Sequence, residues 1–161
     1  MFKKILVPLD GSDLAAKILP QVVELAKAQD AQVTLLNIYF DLKTEVSGEL
    51  LDELMGRELN SCQTYLGKVA KDLAAQGVKV QTDCFVGMPP RDIITYADKN
   101  GMDLIAMATH GKGEVAWVLG STAEKVVTHA TVPVLLIRVM EIKPPKTKEE
   151  HFLEVMDRGI P

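Results

Sequence analysis

One stretch of the chain, ATHGKGEVAWVLGSTAEK at residues 108–125, combines glycines and hydroxyl side chains in a way that suits phosphate binding. Eight residues separate Gly111 from Gly120, and Ser121 and Thr122 follow the second glycine directly. A glutamate three residues after Ser121 gives the spacing of a capping box, which predicts a helix beginning at this point. The first turn of a helix offers N–H groups without partners and a partial positive charge, so an anion can bind there.

Two other phosphate-binding patterns bear on the same stretch. The Walker pattern G-x-x-x-x-G-K-[ST] does not occur, so a P-loop is excluded. The dinucleotide pattern G-x-G-x-x-A matches at Gly111, Gly113 and Ala116, but it follows the fourth predicted strand, whereas that fingerprint belongs after the first. A plainer interpretation stays open, in which the glycines only permit turns and Ser121 caps its own helix.

The chain shows no set of residues suited to catalysis. Its three histidines, His110, His129 and His151, are far apart in sequence, and no nucleophile elbow or cluster of metal ligands occurs. We therefore predict no catalytic residue and no metal ligand, and a protein that binds rather than one that catalyses.

The elements that must position these residues follow from the apolar pattern. Five short apolar runs predict strands, and four amphipathic segments between them predict helices long enough for right-handed crossovers. This order predicts a doubly wound parallel sheet with helices on both faces. Ser12 is the predicted N-cap of the first helix, and Pro20 predicts a kink within that helix rather than two helices. The strands are predicted at 3–10, 31–40, 78–87, 102–111 and 132–140, and the helices at 11–30, 49–77, 88–101 and 121–131.

In such a sheet, ligands bind beyond the carboxyl ends of the strands, where the strand order reverses. This rule selects three groups of residues. Pro8, Leu9, Asp10 and Gly11 come after the first predicted strand, Ile38 and Tyr39 after the second, and Met107 to Gly113, with Ala108, His110 and Gly111 among them, after the fourth. We expect these groups to converge. Asp10 has a second interpretation, as a cap of the following helix.

Composition narrows the class of protein. A chain of 161 residues with 47% hydrophobic content suits one domain, predicted over 1–140, followed by a charged tail over 141–161. The net charge is −4 and the basic residues form no continuous stripe, which argues against nucleic acid as a partner. The apolar runs are too short for a membrane span, and the first residues do not resemble a signal peptide, so we expect a cytoplasmic protein. Cys62 and Cys84 are predicted to be reduced thiols.

Three segments together resemble the universal stress protein (UspA-type) family: KKILVPLDGSDLAAKIL at the start, THG, and LGSTAEKVVTHATVPVLLIR near the end. The resemblance covers about residues 1–140. It implies a five-stranded flavodoxin-like sheet of order 3-2-1-4-5 and a homodimer formed through the last strand, Val134 to Val139. It also implies an adenine nucleotide as partner, because one branch of the family binds ATP, with Mg or Mn as a further possibility. That branch carries G-x2-G-x9-G-[ST] after the fourth strand.

The chain departs from this pattern at two points. Ala108 stands in place of the first glycine, and eight rather than nine residues separate Gly111 from Gly120. Where positions match, the resemblance places Asp10 near the ribose or a phosphate-bound cation and Ile38 near the adenine.

By the same resemblance, His110 and Gly111 lie near the ribose and phosphates, and Gly120, Ser121 and Thr122 receive the phosphates. Two further residues have a plainer interpretation beside ligand contact: Lys112 as a solvated surface lysine and Trp117 as a packing residue. The alternative function is an interaction module that needs no nucleotide and acts through its dimer surface and its tail, and catalysis is at most slow ATP hydrolysis.

Overall fold

The computed structural model describes residues 1–40, 49–111 and 119–141. Lys112, Gly113, Ala116 and Trp117, together with all but the first residue of the predicted tail, lie outside these ranges. Five strands form one parallel sheet of order β3-β2-β1-β4-β5, as predicted. The strands are β1 Lys4–Pro8, β2 Gln32–Phe40, β3 Lys79–Gly87, β4 Leu104–Ala108 and β5 Val134–Ile137.

Five helices cover the two faces of the sheet. They are α1 Asp13–Ala16, α2 Leu19–Gln29, α3 Glu49–Ala75, α4 Pro89–Lys99 and α5 Ser121–His129. Successive side chains of a strand point to opposite faces, so Ile5 and Val7 of β1 enter the core under α2 and α3, while Leu6 enters the core under α4 and α5. The central strand is therefore buried on both faces, which explains its continuous apolar sequence.

The segment after β1 forms two helices, so the prediction of one kinked helix was wrong. Ser12 is the N-cap of α1, as predicted, and its side chain accepts from the N–H of Ala15. A break at Lys17 and Ile18 follows, and α2 begins with Pro20 in its first turn. Proline lacks an N–H group, and the first turn of a helix is where that group has no intrahelical partner, so the chain restarts there instead of bending.

Cys62 and Cys84 form a disulfide, so the prediction of two reduced thiols was also wrong. The bond joins α3 to β3, with a separation of 6.4 Å between the two Cα atoms. Since the cysteines are 22 positions apart along the chain, their spacing carried no sign of the pairing. The chain turns back after α3, so that β3 lies beneath α3, and this packing brings the two sulfurs together. A loop of this length stabilises a fold by about 3 kcal/mol when closed by a disulfide.

Other boundaries confirm the sequence analysis closely. Gly77 ends α3 with a φ of +85°, a conformation that favours glycine. β3 is an edge strand and α4 begins with prolines, both as predicted. β5 ends at Ile137, two residues before the Val139 at which the dimer-forming strand was predicted to end. Within the described ranges, no helix combines the length and the apolar character needed to cross a membrane.

Candidate functional site

A cavity of about 260 Å³ opens at the carboxyl ends of β1 and β4, where the strand order reverses. Eleven residues are predicted from the sequence to contact a ligand, and all of them except Gly120 line this cavity. The ten that line it are Pro8, Leu9, Asp10, Ile38, Met107, Ala108, His110, Gly111, Ser121 and Thr122. The structure thus brings together residues from four separate parts of the chain, as the strand-end rule predicts.

The wall that follows β1 is held by a short chain of hydrogen bonds. The Asp10 carboxylate accepts from both the N–H and the hydroxyl of Ser12, at 2.9 and 2.6 Å. The Ser12 hydroxyl oxygen in turn accepts from the N–H of Ala15 at 3.1 Å. Asp10 is therefore not the helix cap itself but supports the residue that is. Its side chain lies at the surface, with the carboxylate beside the cavity.

The wall that follows β4 is buried and polar. His110 is 4% exposed and its Nδ1 lies 2.9 Å from the hydroxyl oxygen of Thr109, which is also buried. The N–H of Thr109 donates to the carbonyl oxygen of Ile137, so the β4 connection continues the pairing with the β5 side of the sheet. Gly111 follows at the edge of the cavity.

The start of α5 faces the same cavity through Ser121, Thr122 and Ala123. Gly120 is the N-cap, without a side-chain capping bond, so Ser121 is the first helical residue and the predicted capping box was wrong. The N–H groups of Thr122 and Ala123 belong to the first turn, whose N–H groups have no acceptor within the helix. A helix start of this kind, at the lining of a cavity, can bind an anion.

Gly120 occupies a different place from the one predicted. It does not line the cavity, and its N–H donates to the carbonyl oxygen of Thr109 at 3.0 Å. Its φ of −54° is one that other residues adopt, so no special backbone conformation explains the glycine. The role of Gly120 in the structure is to fix the start of α5 against the end of β4.

An apolar wall completes the cavity, and the sequence analysis found only part of it. Beside Ile38 it contains Leu36 of β2 and Pro89 and Ile93 of α4. The prolines that open α4 were recognised as helix-starting residues but not as cavity residues. A usable signal existed, because β3 pairs with β2 and its carboxyl end therefore lies at the same edge of the sheet. Ala15 and Ala123 also line the cavity and were not selected from the sequence, and Thr109, within the selected end of the fourth strand, lines it as well.

Gly87, at the end of β3, lets the side chains of Asp92 and Ile38 come close to the backbone beneath this apolar wall. A Cβ atom built there would collide with the Asp92 carboxylate and lie 3.2 Å from Cγ2 of Ile38. Asp92 accepts from the N–H of Met88 at 2.8 Å, so its carboxylate supports the start of α4. The hydrogen bond from the Arg91 guanidinium lowers the pKa of Asp92, and the carboxylate form is favoured.

The described part of the chain contains no group of three or more histidine, cysteine, aspartate or glutamate side chains placed to hold a metal ion. The cavity therefore offers one carboxylate, a buried imidazole, an apolar wall and a helix N-terminus. This combination suits a ligand with an anionic end and a flat apolar end. Comparison with known proteins gives a matching result: the profile of the universal stress protein family matches residues 1–138.

The chain belongs to the universal stress protein family. Among its family relatives, the universal stress protein MJ0531 of Methanocaldococcus jannaschii is 37% identical over 144 residues, a match that covers 86% of this chain and 83% of MJ0531. The solved structure of MJ0577, from the same organism, superimposes with a TM-score of 0.81 at 29% identity and covers 88% of this chain and 99% of its own.

Two more distant universal stress protein structures contain adenine nucleotides. One is a complex with cAMP, at a TM-score of 0.66 and 20% identity, covering 86% of this chain and 98% of its own. The other, from Archaeoglobus fulgidus, is a complex with dAMP, at a TM-score of 0.59 and 20% identity, covering 85% of this chain and 98% of its own. At this identity, the likeness to this chain is one of fold.

Proposed function

We propose that this universal stress protein binds an adenine nucleotide in the cavity between β1 and β4 and acts as a regulatory protein of the stress response with little or no catalysis. One observation carries the proposal: the N-terminus of α5 and the apolar wall around Ile38 line the same cavity. Distant family members with cAMP and dAMP support the choice of an adenylate.

The residues divide by the chemistry of such a ligand. The first-turn N–H groups of α5 at Thr122 and Ala123 would receive phosphate oxygens, with the Ser121 and Thr122 hydroxyls beside them. Ile38, Pro89 and Ile93 would cover the adenine, which is flat and apolar on its faces.

The polar residues between these ends would meet the ribose. Asp10 and His110 lie on the two central walls, and an Asp10 carboxylate can accept from ribose hydroxyls or hold a phosphate-bound Mg or Mn ion. Ala108 lines the cavity from within β4, paired with Ile137, and adds one methyl group where the ATP-binding branch has glycine. We propose ATP as the nucleotide, with AMP as the main competitor.

Thermal unfolding and isothermal titration calorimetry test the proposal. With Mg-ATP at 100 times its dissociation constant, the unfolding free energy should rise by about 2.7 kcal/mol. Mg-GTP provides the control for base recognition, and AMP and cAMP report the contribution of the outer phosphates. A midpoint that does not move at millimolar adenylate, together with no heat of binding, would exclude a nucleotide function.

A second candidate function rests on the sheet edge. β5 is an edge strand, and Leu135 on it is 39% exposed although it is a large apolar residue. A second copy could pair along this strand, which gives the homodimer proposed from Val134 onward. In this alternative the protein is an interaction module that needs no nucleotide, and its dimer would form equally with and without Mg-ATP. Light scattering in both conditions tests the dimer, and calorimetry with Mg-ATP distinguishes the two functions. We further propose that the protein acts in the cytoplasm, which cell fractionation tests.

A further inference from the structure

The disulfide between Cys62 and Cys84 joins the longest helix to an edge strand of the sheet. Cys62 is buried, at 7% exposure, and Cys84 is only partly buried. Helix α3 contributes Leu66, Val69 and Leu73 to the core on one face of the sheet. The bond therefore fixes the position of a helix that covers this core, and its sulfur on β3 is the more accessible of the two.

Tyr65, about one helical turn after Cys62, connects this helix to the cavity. Its ring packs against the core cluster that contains Leu9 and Ala15, and both of those residues line the cavity. Its hydroxyl is fully buried and has no hydrogen-bond partner among the described residues. Burial, followed by the negative charges of Asp10 and Asp13, raises the pKa of Tyr65.

A buried hydroxyl without a partner is unfavourable, and such a group persists only where the surrounding structure holds it in place. The disulfide supplies that restraint close to Tyr65. Release of the bond would let α3 shift or turn until the hydroxyl reached water or a polar partner. The same shift would change the packing behind Leu9 and Ala15, and so the shape of the cavity.

We infer that the Cys62–Cys84 disulfide makes adenylate binding depend on the redox state, with the oxidised protein binding more tightly. The inference rests on the proposed function. Its physical basis is pre-organisation: with α3 fixed, the connection from β1 to α1 is already in its binding conformation, and less ordering is needed when the ligand enters. Transient disulfides in a reducing compartment are typical of redox sensing.

The redox step is a thiol–disulfide exchange with a low-molecular-weight disulfide, RSSR. The Cys84 thiolate, as the more accessible sulfur, attacks RSSR, forms a mixed disulfide and releases one RS⁻. The Cys62 thiolate then displaces the second RS⁻ and closes the protein disulfide. The two thiols of the protein are oxidised, RSSR is reduced to two RSH, and the two protons lost by the cysteines end on the released thiols.

The test compares the full chain in two states, oxidised with glutathione disulfide and reduced with dithiothreitol, with the free thiols counted by alkylation and mass spectrometry. Calorimetry with Mg-ATP should give a dissociation constant about five- to tenfold lower for the oxidised protein. The variant with Cys62→Ser and Cys84→Ser should bind like the reduced protein whether or not dithiothreitol is present. Equal affinity in the two states, or failure of the disulfide to form, would overturn the inference.

Tyr65→Phe tests the connection separately. This variant keeps the ring and the disulfide but removes the hydroxyl, and the redox difference in affinity should fall below about twofold. A purely structural role of Tyr65 would change the stability of both states equally and leave that difference unchanged, which would contradict the assignment.

A third measurement works without nucleotide, so that failure of the inference and failure of the proposed function are distinguishable. Hydrogen exchange of the backbone amides over residues 9–16 should become faster when the disulfide is reduced. Exchange that is equal in both states would overturn the inference even where ATP binds. Faster exchange in a protein that binds no adenylate would leave the redox effect on this segment in place and reject the nucleotide function instead.

Discussion

The N–H of Gly120 donates to the carbonyl oxygen of Thr109 at 3.0 Å and ties the start of α5 to the end of β4. This bond fixes the direction of the helix relative to the cavity. As a result, the first turn of α5 lines the cavity. No lysine or arginine among the described residues lines it, so the helix start is the cationic feature available there. An electrostatic test of the phosphate position can therefore be made at the helix start itself.

Ser121→Glu should weaken Mg-ATP binding while leaving the fold intact. The new carboxylate would stand where the phosphates are proposed to lie, and repulsion between like charges costs about 1–4 kcal/mol, or about fivefold or more in affinity. In the absence of nucleotide, the same charge at a helix N-terminus should raise stability by about 0.3–1 kcal/mol. Calorimetry and urea denaturation measure the two effects.

Thr128→Glu, on the exposed side of the last turn of α5, adds the same charge and should leave affinity unchanged. Wild-type affinity in Ser121→Glu would count against phosphate at this helix.

Gly87→Ala should both destabilise the protein and weaken adenylate binding. The added Cβ would meet the Asp92 carboxylate and approach Ile38, so α4 and the apolar wall must both shift. We expect a loss of about 1–3 kcal/mol in the free energy of unfolding. Gly67→Ala is the matched control, because a Cβ there meets nothing within 4 Å and alanine favours the α3 helix by about 1 kcal/mol. Urea denaturation and calorimetry of both variants give the comparison; a neutral Gly87→Ala would show that the wall adapts.

Asp103→Asn should lower stability at neutral pH and lose its effect in acid. Asp103 Oδ2 accepts from the N–H groups of Lys3 and Lys4, both at 2.8 Å, and these bonds lower the pKa of Asp103 below its ordinary value of 3.8. A lowered pKa in the folded state contributes stability above the ordinary pKa, and this contribution disappears as the pH falls through the folded value.

For Asp103→Asn we therefore expect a deficit of about 1 kcal/mol at pH 7 that shrinks below pH 4. Urea denaturation at a series of pH values measures it. Asp72→Asn, at an exposed position on α3, serves as the control for the loss of a carboxylate. A deficit that is constant from pH 7 to acid would show that the charge of Asp103 has no part in it.

Leu135→Lys should abolish the proposed homodimer. The residue is exposed on the edge strand β5, and a charge at the centre of a strand pairing would remain without a partner. Multi-angle light scattering should show a dimer for the wild type and a monomer for the variant. Thr82→Lys places the same charge on the opposite edge strand, β3, at another exposed position, and should remain dimeric. A monomeric wild type would remove the dimer from both proposed functions.

The fold was predictable because its signals are local and agree with each other. Continuous apolar runs such as that of β1 require cover on both faces, and the helical segments between them are long enough to provide it. The strand-end rule then selected the cavity residues from position alone. The rule worked for Asp10 and His110 because both follow strands that are adjacent at the switch point.

The error at Pro20 has a local cause, the missing N–H group of proline. The other errors of the sequence analysis share one physical origin, because they concern how elements meet. The Cys62–Cys84 bond depends on how α3 packs on β3, and no spacing encodes it. Ser121 fits the sequence pattern of a capping box, but Gly120 is the N-cap in the structure, because the Gly120 N–H donates to the carbonyl oxygen of Thr109. Pro89 and Ile93 line the cavity because β3 pairs with β2, a neighbour relation that the strand order implies but that the pattern of α4 alone does not reveal.

The two edges of the sheet differ in a way that limits the size of any assembly formed by adding strands. On β3 the exposed positions include Lys79, Gln81 and Thr82, polar or charged side chains of the kind that discourage further pairing. On β5 the exposed position is an apolar leucine. A protein with one receptive border can join a like border on one other copy and then offers no free receptive border. Growth into a filament needs two such borders on every subunit, so this architecture favours a closed pair with fixed stoichiometry.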